Sequence, residues 1–162
     1  MSSLSAIFFD LDGTLVDSSI GIHNGFTYTF DQLGVTSPDA KTIRGFMGPP
    51  LETSFASYLP TEQIEQAIQL YRSYYKEKGV YEAQLFPQIK ELLAELAQQY
   101  PLYITTTKNT PTAIHMIAHF EIDHFFDGIY GSSPQAVHKA DVIRQALATH
   151  NLAPENVVLI GD

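Results

Sequence analysis

Two acids one residue apart, Asp10 and Asp12, stand directly behind the apolar run Leu4-Ser5-Ala6-Ile7-Phe8-Phe9, and Gly13-Thr14 follow them. Side chains two apart on a strand point the same way, so strand geometry lasting to Asp12 projects both carboxylates together and turns Leu11 toward a core. Gly13 lets the chain turn sharply with no Cβ in the way. Such a pair can bind a hard divalent cation through oxygen, with one acid attacking phosphorus and the other moving a proton. The plain alternative is an Asp-Gly surface turn with solvated acids. A buried strand ahead of the pair favours chemistry, because open parallel sheets bind ligands beyond the carboxyl ends of their strands.

Other groups could complete such a site. Ile104-Thr105-Thr106-Thr107-Lys108 ends a second apolar run. A hydroxyl there could donate to a phosphoryl oxygen, although three threonines also simply favour extended chain. Lys139 opens a helical pattern after Ser132-Ser133-Pro134 and His138. It is either a solvated surface charge or a cation holding an anion beside the carboxylates. Asp162 follows Val157 to Ile160 and Gly161, which lands an acid at a strand's carboxyl edge just as at Asp10. Arg44 and the loop Gly45-Phe46-Met47-Gly48-Pro49-Pro50 are polar candidates elsewhere. Arg44 could meet a second anionic group bidentately, or pair with a surface acid. His115 and His119, four apart with His124 nearby, have zinc-like spacing, but no Glu follows the first His, and solvated histidines are the expectation. Acids follow the first strand where a phosphate-binding loop would need several glycines and a lysine.

The elements that must position these groups alternate. Apolar runs at Leu4–Phe9, 101–106, 126–130 and 157–160 read as strands. Between them lie helical patterns: one started by Pro87 with Ile89, Leu92, Leu93 and Leu96 on its face, and one capped by Thr110-Pro111 with Ile114 and Ile117 inward. A third runs from His138 to His150 with Val142, Ile143, Ala146 and Leu147 together. This order predicts an α/β fold, a parallel sheet with helices on both faces. From 17 to 83 no strand-like run occurs. Ile22, Phe26, Phe30 and Leu33, then Leu51, Phe55 and Leu59, then Ile64, Ile68, Tyr71 and Tyr75 form helical stripes, stopped by Gly34, Pro60 and Gly79. The expected organisation is a core of 1–16 and 84–162 with a helical cap of 17–83.

Of 162 residues, 44% are apolar, with ten Phe and nine Tyr, enough for a real core. Lys and Arg total 9 against 18 Asp and Glu, a formal charge of −9 that disfavours nucleic acid or an anionic membrane as a partner. A small anionic substrate remains compatible with a locally positive pocket. No Cys is present, which excludes disulfides, thiolate zinc sites and thiol nucleophiles. With no signal-peptide pattern and no run long enough to span a bilayer, a cytoplasmic protein is the expectation.

Asp10-Leu11-Asp12-Gly13-Thr14-Leu15-Val16-Asp17-Ser18 resembles the first motif of the haloacid dehalogenase-like hydrolases, in their phosphoglycolate phosphatase-like branch. The resemblance implies a Rossmann-like core with sheet order 5-4-1-2-3 and a mobile helical cap hinged near Asp17, Ser18 and Ser19. It implies Asp10 as nucleophile, Asp12 as acid and base, and a Ser or Thr of the second motif at Thr106, with Thr105 or Thr107 as alternatives. It further implies the third-motif lysine at Lys139, and Mg²⁺ held by Asp10, Asp12 and Asp162. Arg44 and Gly48 would lie in the cap loop that selects substrate. The implied reaction is Mg²⁺-dependent hydrolysis of a small phosphorylated metabolite, phosphoglycolate foremost. Pyrophosphatase and β-phosphoglucomutase-like phosphotransfer are the alternatives, and an inactive binding fragment is the alternative of another class. Family members continue beyond the Gly-Asp of the fourth motif. The expectation on that ground is a chain without the fifth strand, poorly active, marginally stable and able to self-associate through an exposed sheet edge.

Overall fold

The computed structural model describes residues 3–161; Asp162, expected among the metal ligands, lies outside them. The elements in chain order are β1 (Ala6–Phe9), β2 (Val16–Asp17), α1 (Ser19–Gln32), α2 (Ala40–Gly45), α3 (Leu51–Ala56), α4 (Thr61–Glu77) and β3 (Gln84–Leu85). There follow α5 (Ile89–Ala97), β4 (Leu102–Asn109), α6 (Thr110–His119), β5 (Gly128–Ser132), α7 (Lys139–Thr149) and β6 (Val157–Ile160). They form two compact units, Met1–Asp17 with Gln84–Asp162, and Ser18–Ala83.

The first unit is α/β. Its sheet runs β5-β4-β1-β6 with every pairing parallel. In the family's numbering this is the 3-2-1-4 part of the expected order. All four residues of β1 are buried because it is central, so its sequence is apolar without alternation. Ala6, Phe8, Tyr103 and Ala146 make one packed cluster, with Ile143 and Leu147 of α7 laid against it. α6 packs on β4 and β5. Its buried residues are Ala113, Met116 and Ile117, an i, i+3, i+4 stripe that leaves Ile114 48% exposed, contrary to the inward placement expected for it. Leu92 of α5 is also exposed, and Leu93 alone is buried there. α5 starts at Ile89, two residues after Pro87, because Gln88 takes a left-handed conformation. At the other sheet edge, Val158, Leu159 and Ile160 of β6 are exposed.

A two-stranded antiparallel ribbon, β2 with β3, was not legible in sequence. Strands of two residues carry no periodicity to read.

The second unit is all helical and its core is aromatic. Phe26 of α1 has ring centroids 5.2 Å from Phe46, 5.2 Å from Phe55 and 4.9 Å from Tyr71. Helix α2, six residues long, had no stripe to betray it; its signal is Asp39, whose carboxylate accepts from Thr42 N at 2.8 Å as an N-cap. Gly21 allows α1 to approach the 3₁₀ turn Gly79–Tyr81, since a Cβ on Gly21 would fall 2.0 Å from the Gly79 carbonyl oxygen. Among the described residues no helix is long and apolar enough to cross a membrane.

Candidate active site

The site is built at the carboxyl edge of β1. Phe9 pairs with Ile104 on one side and Ile160 on the other, so the residues following these three share one edge. Asp10 N donates to Ile160 O at 2.9 Å, which extends the ladder one residue past the strand. Beyond it the chain folds around one carbonyl. Leu11 O accepts from Thr14 N (3.2 Å), Leu15 N (3.0 Å) and Val16 N (3.2 Å), while Gly13 N donates to Val16 O at 2.9 Å. Gly13 has φ +82°, a conformation that glycine adopts without steric cost. Leu11 is fully buried and anchors the loop, as expected of the residue between two outward acids.

Each acid has its own lysine. Lys139 Nζ lies 2.9 Å from Asp10 Oδ1 and donates to Thr105 O at 2.7 Å. Asp10 Oδ1 also accepts from Leu11 N at 2.9 Å. On the flank of Oδ2 stands Gly161, where a Cβ would come within 3.1 Å of Asp10 Cβ. Lys139 is the first residue of α7, and the turn that presents it is fixed by a capping box between His138 and Asp141. Lys108 Nζ lies 3.3 Å from Asp12 Oδ2. The contact of Lys108 with Asp12 joins the ends of two strands and has no local sequence signal.

The three threonines separate. Thr107 is exposed, and Thr105 and Thr106 are buried. Thr105 Oγ1 has no hydrogen-bond partner, and its carbonyl serves Lys139. Thr106 Oγ1 accepts from Lys108 N at 3.1 Å, which leaves its own hydroxyl proton to donate elsewhere. Asp10, Asp12, Thr105, Thr106, Lys108 and Lys139 all belong to the α/β unit, where Lys139 pairs with Asp10 and Lys108 with Asp12.

Arg44 and Gly48 belong to the helical unit. Arg44 is exposed in the last turn of α2, whose Ile43 is buried, and Phe46 is buried just after it. Gly48, exposed at φ +109°, turns the loop that follows. His115, His119 and His124 are all exposed, and among the described residues no three His, Cys, Asp or Glu stand together as a metal cage.

The model of the haloacid dehalogenase-like hydrolase family matches residues 7–162. A haloacid dehalogenase-like hydrolase from Streptococcus pneumoniae has a solved structure that superimposes with a TM-score of 0.96 at 73% identity, over 100% of this chain and 77% of that one. A 5'-nucleotidase from Pseudomonas aeruginosa is 35% identical over 161 residues, covering 96% of this chain and 73% of that protein. The tyrosine-protein kinase PtkA of Mycobacterium tuberculosis is also 35% identical, over 96% of this chain but only 55% of its own length. A phosphoglycolate phosphatase of Photorhabdus laumondii is 27% identical over 100% of this chain and 74% of that protein. The chain belongs to the haloacid dehalogenase-like hydrolase family, in the company of phosphoric monoester hydrolases.

Proposed function

We propose that this hydrolase cleaves a small phosphomonoester, with phosphoglycolate the first candidate, through a phosphoaspartyl intermediate on Asp10. The observation that carries the reading is the pairing of Asp10 with Lys139 at 2.9 Å at the carboxyl edge of a buried central strand. Asp10 Oδ1 is held by Leu11 N–H and Lys139, which leaves Oδ2 to attack. An O–P bond forms at Oδ2 as the ester P–O bond breaks, and Asp12 gives its proton to the departing alkoxide. Water then attacks the same phosphorus, Asp12 takes the water's proton, and the bond to Asp10 breaks. Lys139 and the Thr106 hydroxyl donate to the equatorial oxygens, where charge accumulates in phosphoryl transfer.

Hard oxygen donors are the ligand type that Mg²⁺ takes, and one or two carboxylates suffice because it keeps several waters and binds substrate phosphate. The residues present fit it: the Asp10 carboxylate and the Asp12 carbonyl would hold the ion, with Asp162 the third candidate. When bound it neutralises phosphoryl charge. A small phosphorylated metabolite suits the acidic balance of the chain, −9 in formal charge, better than a polyanion does. The relatives named for phosphoglycolate phosphatase, 5'-nucleotidase and pyrophosphatase activity support phosphate release from small molecules.

Asp10→Asn tests the reading. The variant should lose Mg²⁺-dependent phosphate release from phosphoglycolate while keeping the wild-type circular dichroism spectrum. Turnover that survives the substitution in a folded protein would refute Asp10 as nucleophile.

A further inference from the structure

Lys139 reaches Asp10 from the first residue of α7, and the backbone at that residue is held by bonds that close over it. Asp141 Oδ2 accepts from His138 N at 3.2 Å, and Asp141 N donates to His138 O at 3.0 Å, so two hydrogen bonds bridge Lys139 and Ala140. Upstream, Ser133 and Ala136 exchange backbone bonds at 3.0 and 3.1 Å, and Ala136 is buried. Val137 and His138, between that turn and the helix, are exposed. The Asp141 carboxylate therefore ties an exposed approach to the helix that carries the lysine. A lysine is a point charge on a flexible four-carbon stem, so where its ammonium dwells depends on where its backbone is anchored. Here the ammonium meets two partners at once, Asp10 Oδ1 at 2.9 Å and Thr105 O at 2.7 Å.

We infer that Asp141 is a positioning residue for Lys139, and that it acts through its hydrogen bond to His138 N–H and not through its charge. The inference rests on the proposed role of Lys139 at the phosphoryl group. The other carboxylate oxygen, Oδ1, is already paired with Arg144 Nη1 at 3.0 Å, and Arg144 is well exposed, a setting in which charge counts for little. The Oδ2 bond does something the charge does not. It satisfies a backbone N–H at the start of α7 that has no helical carbonyl to meet, and so fixes the first turn. Without it the turn loosens, and the Lys139 ammonium spends part of its time away from the phosphoryl group it must stabilise.

The test is a double-mutant cycle between Asp141 and Lys139, read as kcat/KM for p-nitrophenyl phosphate with Mg²⁺ and as the dissociation constant of inorganic phosphate. Asp141→Ala should weaken both by about tenfold. Asp141→Asn should change them by no more than about twofold, because the amide oxygen still accepts from His138 N–H. Arg144→Gln, which removes the other partner of Asp141, should leave both unchanged. In the Lys139→Met background, Asp141→Ala should cost nothing further, whereas a merely structural role would cost as much there as in the wild type. Values in Asp141→Ala equal to wild type overturn the inference. So does a loss in Asp141→Asn as large as in Asp141→Ala, which would assign the effect to charge. A loss that persists undiminished in the Lys139→Met background overturns it as well. Failure of the phosphoaspartyl reading shows up separately, as turnover that survives Asp10→Asn, while the phosphate-binding cycle still reads the coupling of Asp141 to Lys139.

Discussion

Thr105 and Thr106 are neighbours of the same residue type with opposite expected behaviour. The Thr105 hydroxyl is buried without a partner, which is costly, and valine has the same shape without the polar atom. Thr105→Val should therefore raise stability by up to about 1 kcal/mol in chemical denaturation and leave phosphate release intact. Thr106→Val removes a hydroxyl whose proton is available for a phosphoryl oxygen, and kcat should fall by about 10²-fold with little change in the unfolding midpoint. The reverse pattern would move the second-motif role to Thr105. A run of three threonines does not separate itself into buried and exposed members, because the alternation needs a register, and the register comes from pairing with β1. Asp10 and Asp12 were legible for a different reason: a short apolar strand, two acids and a glycine are consecutive in the chain.

At the scale of elements, local signals worked where an element was long enough to show a period. The stripe of α4 and the continuous apolar run of β1 are examples, while α2 and the β2–β3 ribbon are too short to have one. Orientation was harder than existence. Ile114 was expected inward and lies outward because Ala113, Met116 and Ile117 fill the buried stripe of α6, a choice made by β4 and β5. Close contacts between elements are invisible in sequence, as at Gly21. A methyl group there would collide with the Gly79 carbonyl oxygen, a backbone atom that cannot rotate away. Gly21→Ala should destabilise the helical unit by about 2–3 kcal/mol, read as an earlier unfolding transition in far-ultraviolet circular dichroism. A midpoint equal to wild type would mean that α1 and the 3₁₀ turn separate without cost.

On the scale of the whole molecule, the ends of the helical unit are tied by one carboxylate. Glu82 accepts from Asn24 Nδ2 of α1 at 2.8 Å and from Tyr74 Oη of α4 at 2.6 Å. The bond from the Tyr74 hydroxyl to Glu82, aided by partial burial and the carboxylate's charge, pushes the phenol's pKa up from 10.0 to about 12. A pKa raised on folding adds stability that is fully present below pH 10 and is lost as pH rises through about 12. Alkaline titration should therefore weaken the helical unit over that window. Tyr74→Phe should flatten the dependence and cost about 1 kcal/mol at neutral pH, checked by denaturant unfolding at several pH values. By itself the sequence determined the α/β class, the aspartate pair and the family, because each is written in consecutive residues or in the spacing of apolar ones. Only the tertiary structure decided that Lys139 holds Asp10 while Lys108 holds Asp12, and that the Thr106 hydroxyl takes the Lys108 N–H while the Thr105 hydroxyl is buried without a partner. Both ion pairs join residues more than ninety positions apart, and such contacts are set by sheet register and bulge geometry, which no local pattern encodes.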